Sequence, residues 1–435
     1  MKTKSISNIL TIGFALFAMF FGAGNIILPP IIGLITGEEW DSAVFGFTIT
    51  AIVAPFLGIL AVLFSGDEFT DLGKRINKTI GIILATAIIL SIGPFVAIPR
   101  TAATTFEVGL LPIWPNFNPI ISSVLFFAVT LALSISPSKV VDIIGKYLTP
   151  LLLVLLAIMI VMGILHPLDT TIDTGVGAVE SFRRGFSEGY QTMDVLASVI
   201  YAGIIISAVK AKGYVSPDAK TRITFLSGAV ATICLLFIYG GLVYLGATSG
   251  YGSAADLKRT ELLLYISNHV LGSQGTIALS LCIALACLTT AIALVCATGT
   301  FFSQLTKGRV SYKAVVIATC VFSAILAVNG VDKIIDYAGP FLGVIYPITL
   351  TLILYVVIFG KIVKRKIPFV GAIVTTTIFA IVQFYITMAI GQAVEDSFVF
   401  QLNECIKKIP LYNYDVPWLL PSFVVFIVLY LFNRK

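Results

Sequence analysis

Apolar runs of about twenty residues follow one another along almost the whole chain, each long enough to cross a hydrocarbon core of about 30 Å. Inside such a layer every backbone donor and acceptor must be satisfied by the segment itself or by neighbouring protein, so the chain must fold as packed helices. With 58% hydrophobic and 11% charged residues and a mean hydropathy of +1.02, a water-soluble globule is excluded. The spans read as roughly 8–35, 42–64, 79–98, 119–135, 140–165, 182–209, 222–246, 275–303, 311–328, 334–360, 368–391 and 416–432, about twelve in all. The expected fold class is an all-α polytopic membrane protein. Met1-Lys2-Thr3-Lys4 before an apolar run looks like a secretory signal. The run is too long for that and many more follow, so it reads as an uncleaved first span.

The net charge of +6 does not mark a nucleic-acid partner, because the basic residues sit in short loops rather than on one face. They report orientation instead. With a cytoplasmic N-terminus, the inner connections collect Lys2, Lys4, Lys74, Arg75, Lys78, Lys139, Lys146, Lys210, Lys212, Lys220, Arg222, Lys307, Arg309, Lys313, Lys361, Lys364, Arg365, Lys366, Arg434 and Lys435. The other side keeps Arg100, Arg183, Arg184, Lys258, Arg259, Lys333, Lys407 and Lys408. Twenty against eight places both termini in the cytoplasm of a protein of the cell membrane and favours an even number of spans.

The first span contains Phe21-Gly22-Ala23-Gly24-Asn25, with Pro29 and Pro30 just beyond. Each glycine weakens a helix interior by about 1 kcal/mol relative to alanine, and Asn25 brings an amide to a depth where lipid offers no partner. Two readings are open: a broken helix lining a polar cavity, as in a transporter site, or a kinked helix in close packing. The sixth span is also irregular. Arg183, Arg184, Glu188, Gly189, Tyr190, Gln191, Thr192 and Asp194 precede its apolar stretch, and charges at membrane depth belong in cavities. The alternative is a wet loop ahead of a span that starts at Val195. Spans one and six are five apart, so they enter from opposite sides. A break in each points to an inverted five-plus-five repeat: residues 1–166, then 180–362, with 363–435 as two extra C-terminal helices.

Several lesser features follow. Gly93-Pro94 in the third span and Gly339-Pro340 in the tenth are expected bends near an outer gate. Arg100 either pairs with Glu107 or reaches the outer headgroups. Residues 261–271 have helical periodicity but are too short and polar to cross, as in an extracellular hairpin or lid. His166 and His269 have no carboxylate or thiolate spacing near them, and the six cysteines suggest neither a disulfide framework nor a metal site. In the eighth span Thr289 and Thr290 put two hydroxyls on one helix, with the Ala286 carbonyl a turn earlier. Oxygen ligands of this kind suit a small hard cation. Threonines in membrane helices also bond back to their own backbone, and both uses are open.

The runs Phe20-Phe21-Gly22-Ala23-Gly24-Asn25-Ile26-Ile27-Leu28-Pro29-Pro30, Gly93-Pro94-Phe95-Val96-Ala97-Ile98-Pro99-Arg100-Thr101-Ala102 and Glu188-Gly189-Tyr190-Gln191-Thr192-Met193-Asp194 resemble those of the branched-chain amino acid:cation symporters, the system II carriers. The likeness covers essentially the whole chain. More distantly, the chain is similar to sodium-coupled amino acid transporters of the LeuT type, whose Gly-x-Gly-Asn break matches Gly22, Gly24 and Asn25 and whose Ala-x-x-Thr pattern matches Ala286, Thr289 and Thr290. The resemblance implies coupled uptake of leucine, isoleucine and valine, driven by sodium or protons. It implies sodium (Na+) ligands in the carbonyls of Ala18, Phe21 and Ala286 and the hydroxyls of Thr289 and Thr290. Substrate contacts are expected at Gly22, Ala23, Gly24 and Asn25 and at Asp194, Ser198 and Tyr201, although Asp194 has no LeuT-type equivalent. A zwitterion fits: amides at the second half-helix and its positive dipole end suit a carboxylate, carbonyls at the breaks suit an ammonium, and Tyr201 with aliphatic neighbours suits the side chain.

Other classes fit less well. A nucleobase carrier would use the same broken helix. A channel needs a continuous polar pore or a repeated filter, a membrane enzyme needs clustered histidines or paired acids, and an ATP-driven pump needs a phosphate-cradling loop. None of these stands in the sequence, and no obligate protein partner is evident from it. The expected partners are an aliphatic amino acid and the lipid bilayer.

Overall fold

The structure is a computed structural model that describes residues 2–67, 69–74, 76–135, 140–252, 257–389 and 398–432. Of the basic residues weighed above, Arg75, Lys139, Arg434 and Lys435 lie outside these, as do the side chains of Lys2, Lys4 and Lys146. Helices follow one another with no strand among the described residues. The first half comprises α1 (Lys2–Phe20), α2 (Ala23–Thr36), α3 (Trp40–Thr48), α4 (Ala54–Ser65), α5 (Phe69–Gly73), α6 (Lys78–Leu90), α7 (Ala97–Thr104), α8 (Pro119–Ile135) and α9 (Val140–Leu165). The second comprises α10 (Ala178–Tyr190), α11 (Asp194–Ala211), α12 (Pro217–Ala247), α13 (Arg259–Leu305), α14 (Tyr312–Ala327), α15 (Val331–Phe359), α16 (Ile367–Ala389), α17 (Phe398–Lys407) and α18 (Leu419–Phe432). Among the described residues, seven helical stretches are long and apolar enough to cross a membrane, and shorter apolar helices accompany them.

The packing has the sense that lipid requires. On α14 the exposed stripe is Ile317, Val321 and Ile325, whereas Thr319, Cys320 and Ser323 are buried. A helix that turns its more polar side inward is surrounded by an apolar solvent. Wide π-helical turns at Ile49–Val53, Ser91–Phe95 and Thr105–Leu110 interrupt the regular ladder, a feature that often accompanies functional sites.

The chain forms two compact units, each assembled from three segments: Met1–Val44, Ile89–Val176 and Leu226–Asp336 in the first, and Phe45–Ile88, Gly177–Phe225 and Tyr337–Lys435 in the second. In the first unit α13 is the spine, packed by α2, α7, α8, α9 and α14. Its opening portion turns at Gly272 (φ 70°, ψ 177°), a left-handed backbone that suits glycine. The short polar helix expected over 261–271 is this portion. In the second unit α11 lies along α4, and α16 along α18. Asp67, just after α4, accepts from Lys210 Nζ at 2.5 Å and Lys220 Nζ at 2.6 Å. These two hydrogen bonds hold its carboxyl below the usual carboxylate range. At one expected bend, α15 continues as a helix through Gly339 and Pro340, where the proline removes one donor from the ladder. The bend at Gly93 is present, with φ −89° and ψ −121° inside the wide turn.

Within the first unit α2 and α12 approach so closely that side chains have no room. A Cβ on Gly33 would overlap the Val243 carbonyl, and one on Gly246 would overlap that of Pro30. Backbone faces backbone on both sides, so neither neighbour can swing away. Forcing a methyl into such a contact costs about 1–3 kcal/mol. Gly33→Ala is expected to lower the thermal unfolding midpoint of the detergent-solubilised protein. Gly343→Ala, where a Cβ meets nothing within 4 Å, should leave it unchanged or raise it. Equal midpoints for wild type and Gly33→Ala would mean that the contact is slack.

Candidate functional site

The first helix stops where the glycines predict. Phe21 N donates to Phe17 O at 2.8 Å. Gly22 is then extended (φ −110°, ψ −169°), and α2 restarts at Ala23. The carbonyls of Ala18, in the last turn of α1, and of Phe21, just beyond it, lie at the end of a helical ladder, and the first amides of α2 lie at the start of another. Residues 23–33 are all buried, so this interruption faces protein and not lipid. Pro29 and Pro30 lie inside α2 and remove two further donors from its ladder. Phe21 stacks between Phe17 (5.0 Å between centroids) and Tyr239 (6.4 Å). Asn25 Nδ2 donates to the Tyr239 hydroxyl, which gives the amide at membrane depth a partner on α12.

Two more elements of the same unit meet this break. A Cβ at Gly22 would stand 3.6 Å from the Thr290 methyl, which puts Thr290 of the eighth span beside it. Thr289 Oγ1 and Thr290 Oγ1 both donate to Ala286 O, at 2.8 and 3.1 Å. Both hydroxyls thus bond back to their own helix while keeping their lone pairs. The second element is α7. A Cβ at Gly24 would lie 2.5 Å from Arg100 Nη2 and 3.2 Å from Nη1, and Arg100 is 3% exposed. Neither expectation for Arg100 holds. Glu107 accepts instead from Thr260 Oγ1 (2.7 Å) and Val331 N (3.0 Å), and a side chain so deeply buried does not reach headgroups. The cause is the non-helical Gly93, which re-aims the helix that follows it.

The second unit carries its own break. After α10 ends at Tyr190, residues 191–193 turn, and Met193 takes a left-handed conformation (φ 61°, ψ 12°) before α11 begins at Asp194. Such a backbone is costly for a non-glycine residue and marks sites where the surroundings enforce it. Asp194 is 3% exposed. It lies within electrostatic reach of Tyr201 and Tyr346. Tyr346 stacks on Tyr190 with centroids 4.0 Å apart and donates to Thr50 O at 2.5 Å. Thr50 Oγ1 donates to Phe186 O at 2.9 Å. A Cβ at Gly339 would stand 3.2 Å from Gln191 Nε2. The glycine of the Gly339-Pro340 step therefore makes room for the turn.

Of the residues singled out from sequence in the first unit, Gly22 meets Thr290, and Ala286 gathers Thr289 and Thr290. In the second, Asp194 and Tyr201 share one face of α11. Ser198 is occupied elsewhere: its hydroxyl donates to Val195 O at 2.7 Å and packs on Gly58 of α4. The sequence reading missed Tyr239, Tyr346 and Thr50, named Tyr190 only within the polar run before Val195, and misjudged Arg100. For Arg100 a signal existed, because an ionisable residue inside a membrane span is by default a functional-site candidate. The tyrosines and Thr50 carried no such mark.

Comparison with known proteins extends these observations. The family model described as branched-chain amino acid transport protein matches residues 5–435. The chain is 36% identical over 429 residues to the branched-chain amino acid permease BraB of Bacillus subtilis (strain 168), covering 96% of this chain and 94% of that one. It is 34% identical over 428 residues to the permease BrnQ of the same organism, covering 97% and 96%. Among solved structures, it is similar to Mhp1 in an inward-facing conformation (TM-score 0.59, 12% identity, 96% and 90% covered) and to MhsT in complex with L-phenylalanine (TM-score 0.55, 17% identity, 97% and 98% covered). These two have the LeuT fold, and the architecture of this chain is of that kind. The chain belongs to the branched-chain amino acid transport protein family.

Proposed function

We propose that the protein is a secondary active symporter that imports leucine, isoleucine and valine with sodium by alternating access. It would sit in the cell membrane with both termini cytoplasmic, as the asymmetry of basic loops supports. Its relatives are permeases and carriers rather than enzymes, which supports the substrate class. In this reading the 1–166 and 180–362 segments are the inverted repeats. The amides of Gly22, Ala23, Gly24 and Asn25 meet the substrate carboxylate, aided by the dipole of α2. In the second unit the proposed contacts are Asp194 and Tyr201, with Ser198 the weaker candidate because its hydroxyl is engaged.

The observation that supports the ion assignment is the approach of the Thr290 methyl to Gly22, which sets that threonine next to the break after α1. Sodium would be held by the carbonyls of Ala18, Phe21 and Ala286 and by Thr289 and Thr290, an all-oxygen set suited to a hard cation. Ala286 O already accepts from both hydroxyls, so full ligation requires one of them to rotate away. Proton coupling is the second reading. The buried Asp194 favours it, with Glu188 as the other carboxylate near that break.

Leucine, isoleucine and valine are expected to compete for one site in proteoliposomes, because they differ only in aliphatic bulk. Calorimetric binding of uracil or lysine, with none of the three bound, would sink the assignment. For the ion, sodium should raise leucine affinity and leucine should raise sodium affinity by the same factor, since linkage is reciprocal. The double variant Thr289→Ala, Thr290→Ala should lose only the sodium-dependent increment and keep the sodium-free affinity. A wild-type affinity that ignores sodium but follows pH would reject the sodium site and move coupling to Asp194 or Glu188.

A further inference from the structure

We propose that the connection ahead of α18 is a strap that clamps α10 and so holds the second break, and that the strap is tightest when Asp415 carries a proton. The strap is a single turn of 3-10 helix, Tyr412–Tyr414, and both Leu411 before it and Asp415 after it are left-handed (φ 69° and 62°). Among the described residues four that are not glycine have such a backbone, and three of these are Met193 at the break and Leu411 and Asp415 in the strap. A costly conformation persists where surrounding contacts enforce it, so the turn is held in place. Its flanks are fixed as well, since Ile406 on α17 and Trp418 are both buried.

The strap meets α10 in two ways, both within the second unit. Ser187 Oγ donates to Asp415 Oδ2 at 2.5 Å, and Tyr414 packs edge-on against Phe182 with ring centroids 5.5 Å apart. Ring contacts continue from Phe182 to Phe186 (6.0 Å), from Phe186 to Tyr190 (5.5 Å) and from Tyr190 to Tyr346 (4.0 Å). They reach the last residue before the break. Packed side chains transmit displacement because little free volume absorbs it, so a strap that lifts would loosen α10 as far as Tyr190.

The charge on Asp415 sets how firmly the strap lies. On α10, Glu180, Arg183, Ser187 and Tyr190 face it. Tyr412 of the strap faces Arg183 and also Lys407 of α17, which pairs with Glu404 at 2.6 Å. Loss of water raises the Asp415 carboxyl above the usual aspartate range; the Ser187 hydrogen bond and the Arg183 charge offset only part of this, and Glu180 adds to the rise. Lifted from α10, the carboxyl would regain water and titrate as an ordinary aspartate. A carboxyl whose pKa is raised by docking favours docking while it is protonated. The strap is therefore tight in acid and loosens as pH rises through the range where the docked carboxyl ionises.

The test is amide hydrogen exchange of the full chain in detergent, read by mass spectrometry without substrate, so its outcome does not depend on what the carrier binds. Opening of residues 178–190 is compared at about pH 4.5 and about pH 7.5, a range in which a raised aspartate titrates, after correction for the intrinsic pH dependence of exchange. Peptides of α14 in the first unit report global opening. In wild type, residues 178–190 should open several-fold more at the higher pH relative to that reference. Asp415→Asn keeps an acceptor for Ser187 and removes the charge, so it should retain the low-pH protection at both values. Tyr414→Leu removes the ring contact and should raise opening of 178–190 at both values. A pH dependence that survives in Asp415→Asn would overturn the proposal, because some other group would then carry it. So would greater opening in acid, which would mean that the Arg183 attraction outweighs burial. Protection of α10 that ignores Tyr414→Leu would make the turn a passive covering and would overturn it as well.

Discussion

Peptide groups released from a helix inside a hydrocarbon layer have no water to turn to, and much of this molecule is arranged to receive them. Hydroxyls do most of the receiving. In the second unit the wide turn at Ile49–Val53 frees Thr50 O, which Tyr346 binds, while the Thr50 hydroxyl serves Phe186 O close to the break after Tyr190. In the first unit Ser323 Oγ donates to Pro94 O at 3.3 Å, beside the interruption at Gly93. Asn25 finds the Tyr239 hydroxyl. Tyr346, Thr50 and Ser323 thus donate to carbonyls at or near interruptions, and Tyr239 accepts from the Asn25 amide. A break tolerated in this way leaves helix ends in the protein interior, where they can meet a ligand.

Close approach is the second requirement, and glycine supplies it at specific places. Gly33 and Gly246 let α2 and α12 touch through their backbones, Gly58 admits Ser198, and Gly24 admits Arg100. These are different uses of one property. The first two bring helices together in a solvent that offers no hydrophobic drive to do so. The last brings a charge to a helix end. Without a Cβ at residue 24 the guanidinium can lie against the backbone and not beside it.

Much of the fold was legible because lipid imposes a simple rule on composition: apolar runs of the right length must be helices. The two breaks were legible for a related reason. Gly22, Gly24 and Asn25 oppose a continuous helix, and the polar run before Val195 opposes one in the sixth span. What could not be read were contacts between helices distant in sequence. Tyr239 lies 214 residues from Asn25, and nothing around it distinguishes it from the other aromatic residues of its span. Arg100 was expected to pair with Glu107 or to reach the outer headgroups, and its deep burial against Gly24, on a helix distant in sequence, could not be read in advance. At the Gly339-Pro340 step the helix is continuous, and the close approach of Gln191 to Gly339, a contact between distant parts of the chain, was not legible.

The charges at the first break also bear on what such a carrier can discriminate. In the proposed reading a helix N-terminus and the sodium are both positive, and the substrate carboxylate would be their common counter-charge. An amine without that carboxylate would add a positive charge beside them, so such a site would disfavour it. Selection among leucine, isoleucine and valine has no comparable lever. One methylene in an apolar slot changes binding by about 1–3 kcal/mol, and rotation of flexible side chains around the slot offsets part of that. The head group therefore sets which class of molecule is accepted, and aliphatic bulk only grades the members within it.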